Sequence, residues 1–316
     1  MTDDTLPPEL ALRAFSVREA RSRGVPDRAL RRVALTRPHH GVRALAAVET
    51  LSDPFEGRCR SLLPALPVGA VFSHSTAARL WGLPVPAALQ RADAELHVTV
   101  TRHNAVRRKG VRGHVSVSPP SSTMLRGMPL TAPIETWAEC RTVLGLDDLV
   151  ILGDALTGRW SKTSRASELA LDDLRAAAAK TTGRGVARLR DAAVLMRAGS
   201  RSPQETRLRL AIVRAGLPEP LMNVDEYDGA GLWLGFVDFS YRQQRLVLEY
   251  EGDHHRVDRK TFLNDIARRE RFADAGWRTL RVTSRDLTPS TLPLFIARLA
   301  RHLSTRVDRD LTNDVF

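Results

Sequence analysis

Val237-Asp238-Phe239 is followed, eleven positions on from Asp238, by Glu249-Tyr250-Glu251-Gly252-Asp253-His254-His255. The stretch reads as two adjacent β-strands that bring several acids and two histidines to one end of a sheet. Side chains alternate along a strand. Over 245–251, therefore, Leu246, Leu248 and Tyr250 point one way and Val247, Glu249 and Glu251 the other. If the strand over 233–240 pairs antiparallel with it through the short Tyr241–Gln244 connection, Asp238 comes level with this segment and Phe236 faces the core. Carboxylates repel one another and are costly to bury uncompensated. Asp238, Glu249 and Glu251 together make most sense around a hard divalent cation, Mg²⁺ or Mn²⁺. Mg²⁺ takes oxygen ligands and usually needs only one or two protein carboxylates, with water and substrate phosphate completing the octahedron.

Outward from this pair, Ser202-Pro203-Gln204-Glu205 opens a helix that runs to Ala215 and stops at Gly216. A strand is expected over 221–227, an amphipathic helix over Val257–Ala275, a strand over Trp277–Thr283 and a last helix over Pro289–Leu303. The order α-β-β-β-α-β-α predicts an α/β domain, a mixed sheet with helices packed on it, over 200–316. Gly229-Ala230-Gly231 sits in a hairpin turn, and neither a Walker or Rossmann glycine loop nor a Gly-x-Ser-x-Gly elbow is present.

Three further regions precede it: 1–50, 51–160 and a helical linker over 161–199. In the first, Ser16-Val17-Arg18-Glu19 has the capping-box pattern and opens a short helix to about Arg23. Gly24-Val25-Pro26 turns the chain, and Asp27–Thr36 is expected as a second helix with Leu30, Val33 and Ala34 at core spacing. His39-His40-Gly41-Val42 turns it back. Helix, turn, helix and wing is the helix-turn-helix plan. Between Arg13 and Arg43 stand nine arginines against Glu19 and Asp27. Arg28, Arg31 and Arg32, on the expected recognition helix, are the candidate DNA-binding residues. The bland alternative is an exposed arginine face that contacts another part of this protein.

The region 51–160 reads as mixed α+β and is left open to a protein partner. A Ser-capped helix is expected within Phe72–Pro84, a strand over Leu96–Thr101 with a partner near Gly113–Ser118, and helices over Pro133–Leu144 and Leu146–Leu156. Arg102, Arg107, Arg108, Lys109 and Arg112 make the segment between the strands basic. It is expected as a solvated hairpin tip rather than a dedicated DNA arm.

The 316 residues suffice for two or three domains, and 43% hydrophobic with 27% charged residues is globular composition. A formal charge of +12, with only four lysines among the 48 basic residues, favours polyanion partners. Basic patches do not choose DNA over RNA. Cys59 and Cys140 lack metal-ligand spacing and read as small buried hydrophobes in a reducing compartment. No apolar run spans a bilayer, and the acidic Met1-Thr2-Asp3-Asp4 start is no signal peptide, so the expected location is cytoplasmic, without membrane contact.

From Ser200 to about Leu303 the sequence resembles the PD-(D/E)XK nuclease superfamily. More closely, it resembles the domain-of-unknown-function branch related to the very-short-patch-repair endonuclease. The residues that carry this are Pro203 and Glu205, Gly235-Phe236-Val237-Asp238-Phe239, Leu248-Glu249-Tyr250-Glu251-Gly252, His254-His255, Asp265 with Arg268, and Gly276-Trp277-Arg278-Thr279-Leu280-Arg281. The resemblance implies a restriction-endonuclease-like α-β-β-β-α-β core and a metal-dependent DNA endonuclease. Asp238 and Glu249 would be metal ligands, and Glu205 would support a metal-bound water. Glu251 stands where the superfamily has lysine. The very-short-patch branch also lacks that lysine and uses a nearby histidine, which would be His254 or His255 as general base or leaving-group acid. Asp265 with Arg268 and Arg269 is either a surface ion pair or a phosphate-positioning group, and Arg278 and Arg281 face either solvent or DNA. Phe15-Ser16, Ala20, Gly24-Val25-Pro26, Leu30-Arg31 and His40-Gly41-Val42 resemble the winged helix of AbiEi-type antitoxins, which act as transcriptional regulators. The alternative function is therefore a DNA-binding regulator or antitoxin whose nuclease fold is catalytically idle.

Overall fold

The computed structural model describes residues 6–31, 34–45, 53–102, 105–158, 166, 168–251 and 259–310, excepting the side chains of 259–265 and 305–310. The chain divides into two compact units, Met1–Asp148 with Ala176–Leu189, and Leu149–Arg175 with Arg190–Phe316. It is a mixed α/β protein with three sheets among the described residues.

The first unit begins with helix α1 (Pro8–Ala11), strand β1 (Phe15–Ser16), helix α2 (Val17–Ser22) and strands β2 (Leu35–Thr36) and β3 (Val42–Leu45). The strands form a sheet in the order β1-β3-β2. Ser16 Oγ accepts from the Glu19 N–H at 3.0 Å, as the capping pattern predicts. The helix expected over Asp27–Thr36 is not present. Ala29–Arg31 form a single 3-10 turn, and Leu35 and Thr36 pair with Leu45 and Ala44. A continuing helix would use the Leu30 carbonyl internally; instead it accepts from Arg43 Nε at 2.9 Å. Ala29 and Leu30 then complete a core with Leu10, Phe15, Ala20, Val25 and Leu35.

The same unit continues through α3 (Pro54–Leu62), β4 (Val71–Phe72), α4 (His74–Leu80), α5 (Ala87–Gln90) and β5 (Leu96–Thr101). Then come β6 (Arg107–Arg108), β7 (Val111–Ser116), β8 (Ser122–Leu125), β9 (Met128–Thr131) and α6 (Pro133–Cys140). The sheet order is β6-β7-β5-β4-β9-β8. β5 and β7 run parallel, so the basic segment does not join them as the expected hairpin; within it β6 pairs antiparallel with the start of β7, Arg107 with Arg112 and Arg108 with Val111, and Lys109 and Gly110 form a hairpin tip there. The segment's backbone passes over Gly113, where a Cβ would lie 2.3 Å from the Val106 carbonyl oxygen. Only glycine leaves room for that approach.

Helices α7 (Leu146–Thr157), α8 (Leu171–Lys180) and α9 (Val186–Leu195) follow. The second unit then runs α10 (Pro203–Arg214), β10 (Leu221–Tyr227), β11 (Trp233–Tyr241), β12 (Leu246–Glu251), α11 (Arg259–Asp274), β13 (Arg278–Thr283) and α12 (Leu292–Asp310). Its sheet order is β10-β11-β12-β13, antiparallel except for the parallel pair β12 and β13. The expected alternation holds. Leu246 and Leu248 pack with Phe239, Leu208 and Phe295 on one face, and Val247 packs with Val237 and Phe272 on the other. Helices thus cover both faces, and each fully buried Leu or Phe contributes about 1.5–3 kcal/mol. Phe236 does not join either core: it is half-buried, with the Arg201 guanidinium 4.1 Å above its ring.

Among the described residues no helix is long and apolar enough to cross a membrane. Cys59 and Cys140 are free and buried, and burial pushes the Cys59 thiol up to about 12.

Candidate functional site

Glu205 stands in the first turn of α10, capped by Ser202, whose Oγ accepts from the Glu205 N–H at 3.2 Å. Its own Oε2 accepts from the Arg201 N–H at 2.9 Å and from Asn223 Nδ2 at 2.6 Å. The carboxyl is 6% exposed, and burial first, then the charge of Asp238, pushes its pKa upward against those hydrogen bonds. The helix itself is pinned from beneath. Arg209 Nη2 donates to Asp154 Oδ2 at 3.0 Å, Thr206 Oγ1 to the same oxygen at 2.9 Å, and the Arg197 N–H to Asp154 Oδ1 at 2.8 Å.

Asp238 lies where the β11–β12 ladder ends. Main-chain pairing runs from Tyr241↔Leu246 to Phe239↔Leu248. One residue on, the Asp238 side chain takes over: its Oδ2 accepts from the Tyr250 N–H at 2.8 Å. On the other side, Asn223 falls opposite Asp238, between the pairs Met222↔Phe239 and Val224↔Val237. Asn223 has φ 52°, a left-handed conformation that asparagine tolerates better than most residues. Among the described residues its buried Oδ1 has no hydrogen-bond partner.

Glu249 and Glu251 share a face of β12, as the alternation predicts, and each meets an arginine. Arg268 Nη2 is 2.7 Å from Glu249 Oε1, and Arg281 Nη1 is 2.8 Å from Glu251 Oε1. Arg268 also donates to the Phe236 carbonyl at 3.0 Å. Guanidinium groups therefore offset part of the carboxylate repulsion that a cation was expected to relieve. Arg278 reaches back to α12, donating to the His302 carbonyl at 2.8 Å. His254 and His255 lie outside the described residues, as does the Asp265 side chain.

Glu205, Asp238 and Glu249 are oxygen donors of the kind Mg²⁺ and Mn²⁺ accept. The orphaned Asn223 Oδ1 adds a neutral oxygen beside them, so the donor chemistry fits a hard cation. Among the described residues, Glu205, Asp238, Glu249 and Glu251 form no group of three converging ligand atoms. The fit is therefore of one or two carboxylates completed by water, the usual Mg²⁺ arrangement.

In the first unit, Arg28 and Arg31 are exposed beside the 3-10 turn, and Arg32 lies outside the described residues. Arg13 pairs with Glu19, Arg21 with Asp27 at 2.8 Å and Arg23 with Glu9 at 2.7 Å, so part of the arginine charge is offset locally.

Sequence reasoning missed Asn223, Asp154 and a histidine cluster. Asp154 sits in an apolar helical run, where a lone acid signals a buried partner. The cluster is His74, His97 and His114, whose ligand atoms all lie within 4.8 Å of one another. Burial, then the other two imidazoles, drives His74 down to about 2; burial, then His114, takes His97 to about 3. Burial pushes Glu139 beside them up to about 7. His74 Nδ1 is 3.9 Å from Glu139 Oε2, but a neutral imidazole makes this no ion pair.

No family model matches the chain, and no curated protein matches it. Among solved structures it is similar to the RV2827C protein from Mycobacterium tuberculosis, at 14% identity and a TM-score of 0.35, over 71% of this chain and 90% of that one. A likeness at that level assigns neither fold nor chemistry.

Proposed function

We propose that the second unit is a metal-dependent phosphodiesterase that cuts DNA, with a restriction-endonuclease-like core and a very-short-patch-type site. Residues 1–50 are read as a winged helix that binds nucleic acid, with Arg28 and Arg31 presented to phosphate or bases. The observation that carries the proposal is the convergence of Glu205, Asn223 and Asp238 where the sheet's regular pairing breaks off. Irregular pairing is enriched next to active sites, where it re-aims side chains. Asp238 and Glu249 would hold Mg²⁺ or Mn²⁺. When bound, the ion lowers the pKa of water and stabilises charge on the scissile phosphate. Glu205 positions water next to Asp238, and its raised pKa lets it take up a proton closer to neutral pH than an ordinary glutamate. Asp238 keeps β11 and β12 in register through the Tyr250 N–H. His254 or His255 supplies the remaining acid–base group in this reading, and Glu251, held by Arg281, stays at the rim.

Purified protein with Mg²⁺ or Mn²⁺ should nick supercoiled DNA, and Asp238→Ala should abolish nicking. Nicking that survives Asp238→Ala refutes the assignment. A parallel single-stranded RNA substrate separates DNA from RNA specificity. One observation favours a second reading: Arg268 and Arg281 already neutralise Glu249 and Glu251. On that reading the nuclease fold is idle, and the protein is a DNA-binding regulator of the AbiEi-antitoxin kind. It would bind a defined operator without divalent metal and leave the DNA intact.

A further inference from the structure

We infer that the first unit carries a second, chemically different metal site: a three-histidine site for Zn²⁺ or a similar transition metal, built from His74, His97 and His114. It is independent of the carboxylate site and of the nuclease reading. The three imidazoles come from three elements, the start of α4, β5 and β7. In the parallel register Thr99 stands opposite His114 and His97 opposite Arg112, so His97, Thr99 and His114 share one sheet face. His74 stacks on His114 with ring centroids 3.7 Å apart, and His97 Nδ1 and His114 Nε2 share a hydrogen bond of 2.9 Å whose proton a metal would replace.

Around a tetrahedral zinc with bonds of about 2.1 Å, ligand nitrogens stand about 3.4 Å apart. The observed separations, from 2.9 Å up to at most 4.8 Å, bracket that value. The stacked His74 and His114 rings must turn out of parallel to aim both lone pairs at one ion. Imidazoles without thiolates suit zinc, copper, nickel and cobalt, and not magnesium.

Two features show that the cluster is built and not accidental. His74 holds φ 50°, a conformation that costs a non-glycine residue energy and persists only where the surroundings enforce it. The enforcing group is Glu139: its Oε2 accepts from the His74 backbone N–H at 3.3 Å, and its Oε1 from Thr99 Oγ1 at 3.3 Å. Second, the cluster is not sealed. His74 and His114 open onto a cavity of about 480 Å³ that Glu135, Glu139 and Arg141 also line. An ion bound there has an entry path and a fourth position facing the cavity; the wall carries Arg112, Arg141 and Arg184 as well as Glu135 and Glu139, so the imidazoles must supply the affinity.

Untagged full-length protein, stripped with a chelator and held in excess Mg²⁺ to occupy the carboxylates, should take up one equivalent of Co²⁺ with the visible absorption of a nitrogen-rich four- or five-coordinate ion. Zn²⁺ should displace it. His114→Gln, at the half-buried position, should weaken uptake by more than about 100-fold, since loss of even an outer-sphere partner costs about 10–100-fold. Wild-type protein that takes up no Co²⁺ overturns the inference, and so does a His114→Gln protein that binds like wild type. Should the substitution unfold the chain, X-ray absorption on the Zn²⁺-loaded wild type decides: three imidazole scatterers support the site, and an oxygen-only shell overturns it.

Discussion

The two candidate sites are built in opposite ways. The carboxylate site is local: Asp238 and Glu249 are joined by one short connection, and their strands are hydrogen-bonded neighbours. The histidine cluster is non-local, drawn from three elements of a sheet whose order, β6-β7-β5-β4-β9-β8, departs from the order of the chain. The first site offers hard oxygen donors partly neutralised by arginine. The second offers neutral nitrogens, packed against one another and kept unprotonated by burial. The difference teaches that acidic clustering along a sequence is easily seen yet ambiguous, because arginine can do what a cation does. Clustering made by topology is hidden, but has fewer alternative explanations once seen.

The sharpest test of the contrast is functional. Asp238→Ala should lower Mg²⁺-dependent DNA cleavage by more than about 100-fold, measured by gel assay, while Co²⁺ uptake at the histidines stays intact. Next in size is the anchor of the helix that carries Glu205. Asp154 and Arg209 are 0% and 1% exposed, and breaking such a pair costs about 3–5 kcal/mol. Asp154→Ala should fall near the lower end, because Arg209 Nη1 keeps Glu219 at 3.1 Å. Urea unfolding followed by circular dichroism reads the loss.

A pH series addresses the other site in metal-stripped protein. His74 and His97 ordinarily titrate at 6.5 but are held to about 2 and about 3 in the fold. Below 6.5 the unfolded chain binds protons that the folded one refuses, so stability falls with pH, by about 1.4 kcal/mol per unit for each fully buried histidine. Glu139, raised from 4.5 to about 7, works the other way: its protonated form is favoured in the fold, and that contribution is lost as pH rises through 7. Between pH 4.5 and 6.5 the three histidines, His114 held to about 4 included, outweigh Glu139 and Glu135, both raised by burial, so the cluster's net contribution is destabilisation on acidification. Denaturation midpoints measured across that range should drop towards acid; a rise would contradict the buried, neutral cluster.

Gly113→Ala tests the crossover beside His114. The added methyl meets the Val106 backbone, and overpacking of this kind costs about 1–3 kcal/mol. A thermal melt checks it. The smallest effect is expected for Arg268→Gln. This partly exposed pair with Glu249 is worth at most about 1 kcal/mol, so freeing the carboxylate should tighten Mg²⁺ binding no more than about fivefold, read by calorimetry.

How much of this was legible in the sequence follows the same division. In the second unit, strands pair mostly with sequence neighbours through short turns. Period-2 patterning therefore placed Leu246, Leu248, Glu249 and Glu251 on their proper faces, and Ser202 and Gly216 marked the ends of α10. Phe236 misled because the strands are interrupted at Asn223 and Asp238. In the first unit, Leu30, Val33 and Ala34 have helical spacing, but the Leu30 carbonyl is taken by Arg43, thirteen residues on. No window of sequence contains that hydrogen bond. Likewise nothing from Thr101 to Ser116 announces a parallel crossover except Gly113, whose reason appears only when Val106 lies on it. The histidines could have been suspected only from His97, whose imidazole alternates with Leu96 and Val98 on a strand that is buried almost throughout.

The central claim is that Asp238 and its neighbours hold a hard cation for phosphodiester cleavage. Crystals soaked with Mn²⁺ test it most directly through anomalous scattering. The account predicts a peak in contact with Asp238 and Glu249, with Arg268 drawn away from Glu249. A map with no peak there, and the 2.7 Å contact between Arg268 and Glu249 intact, would contradict it.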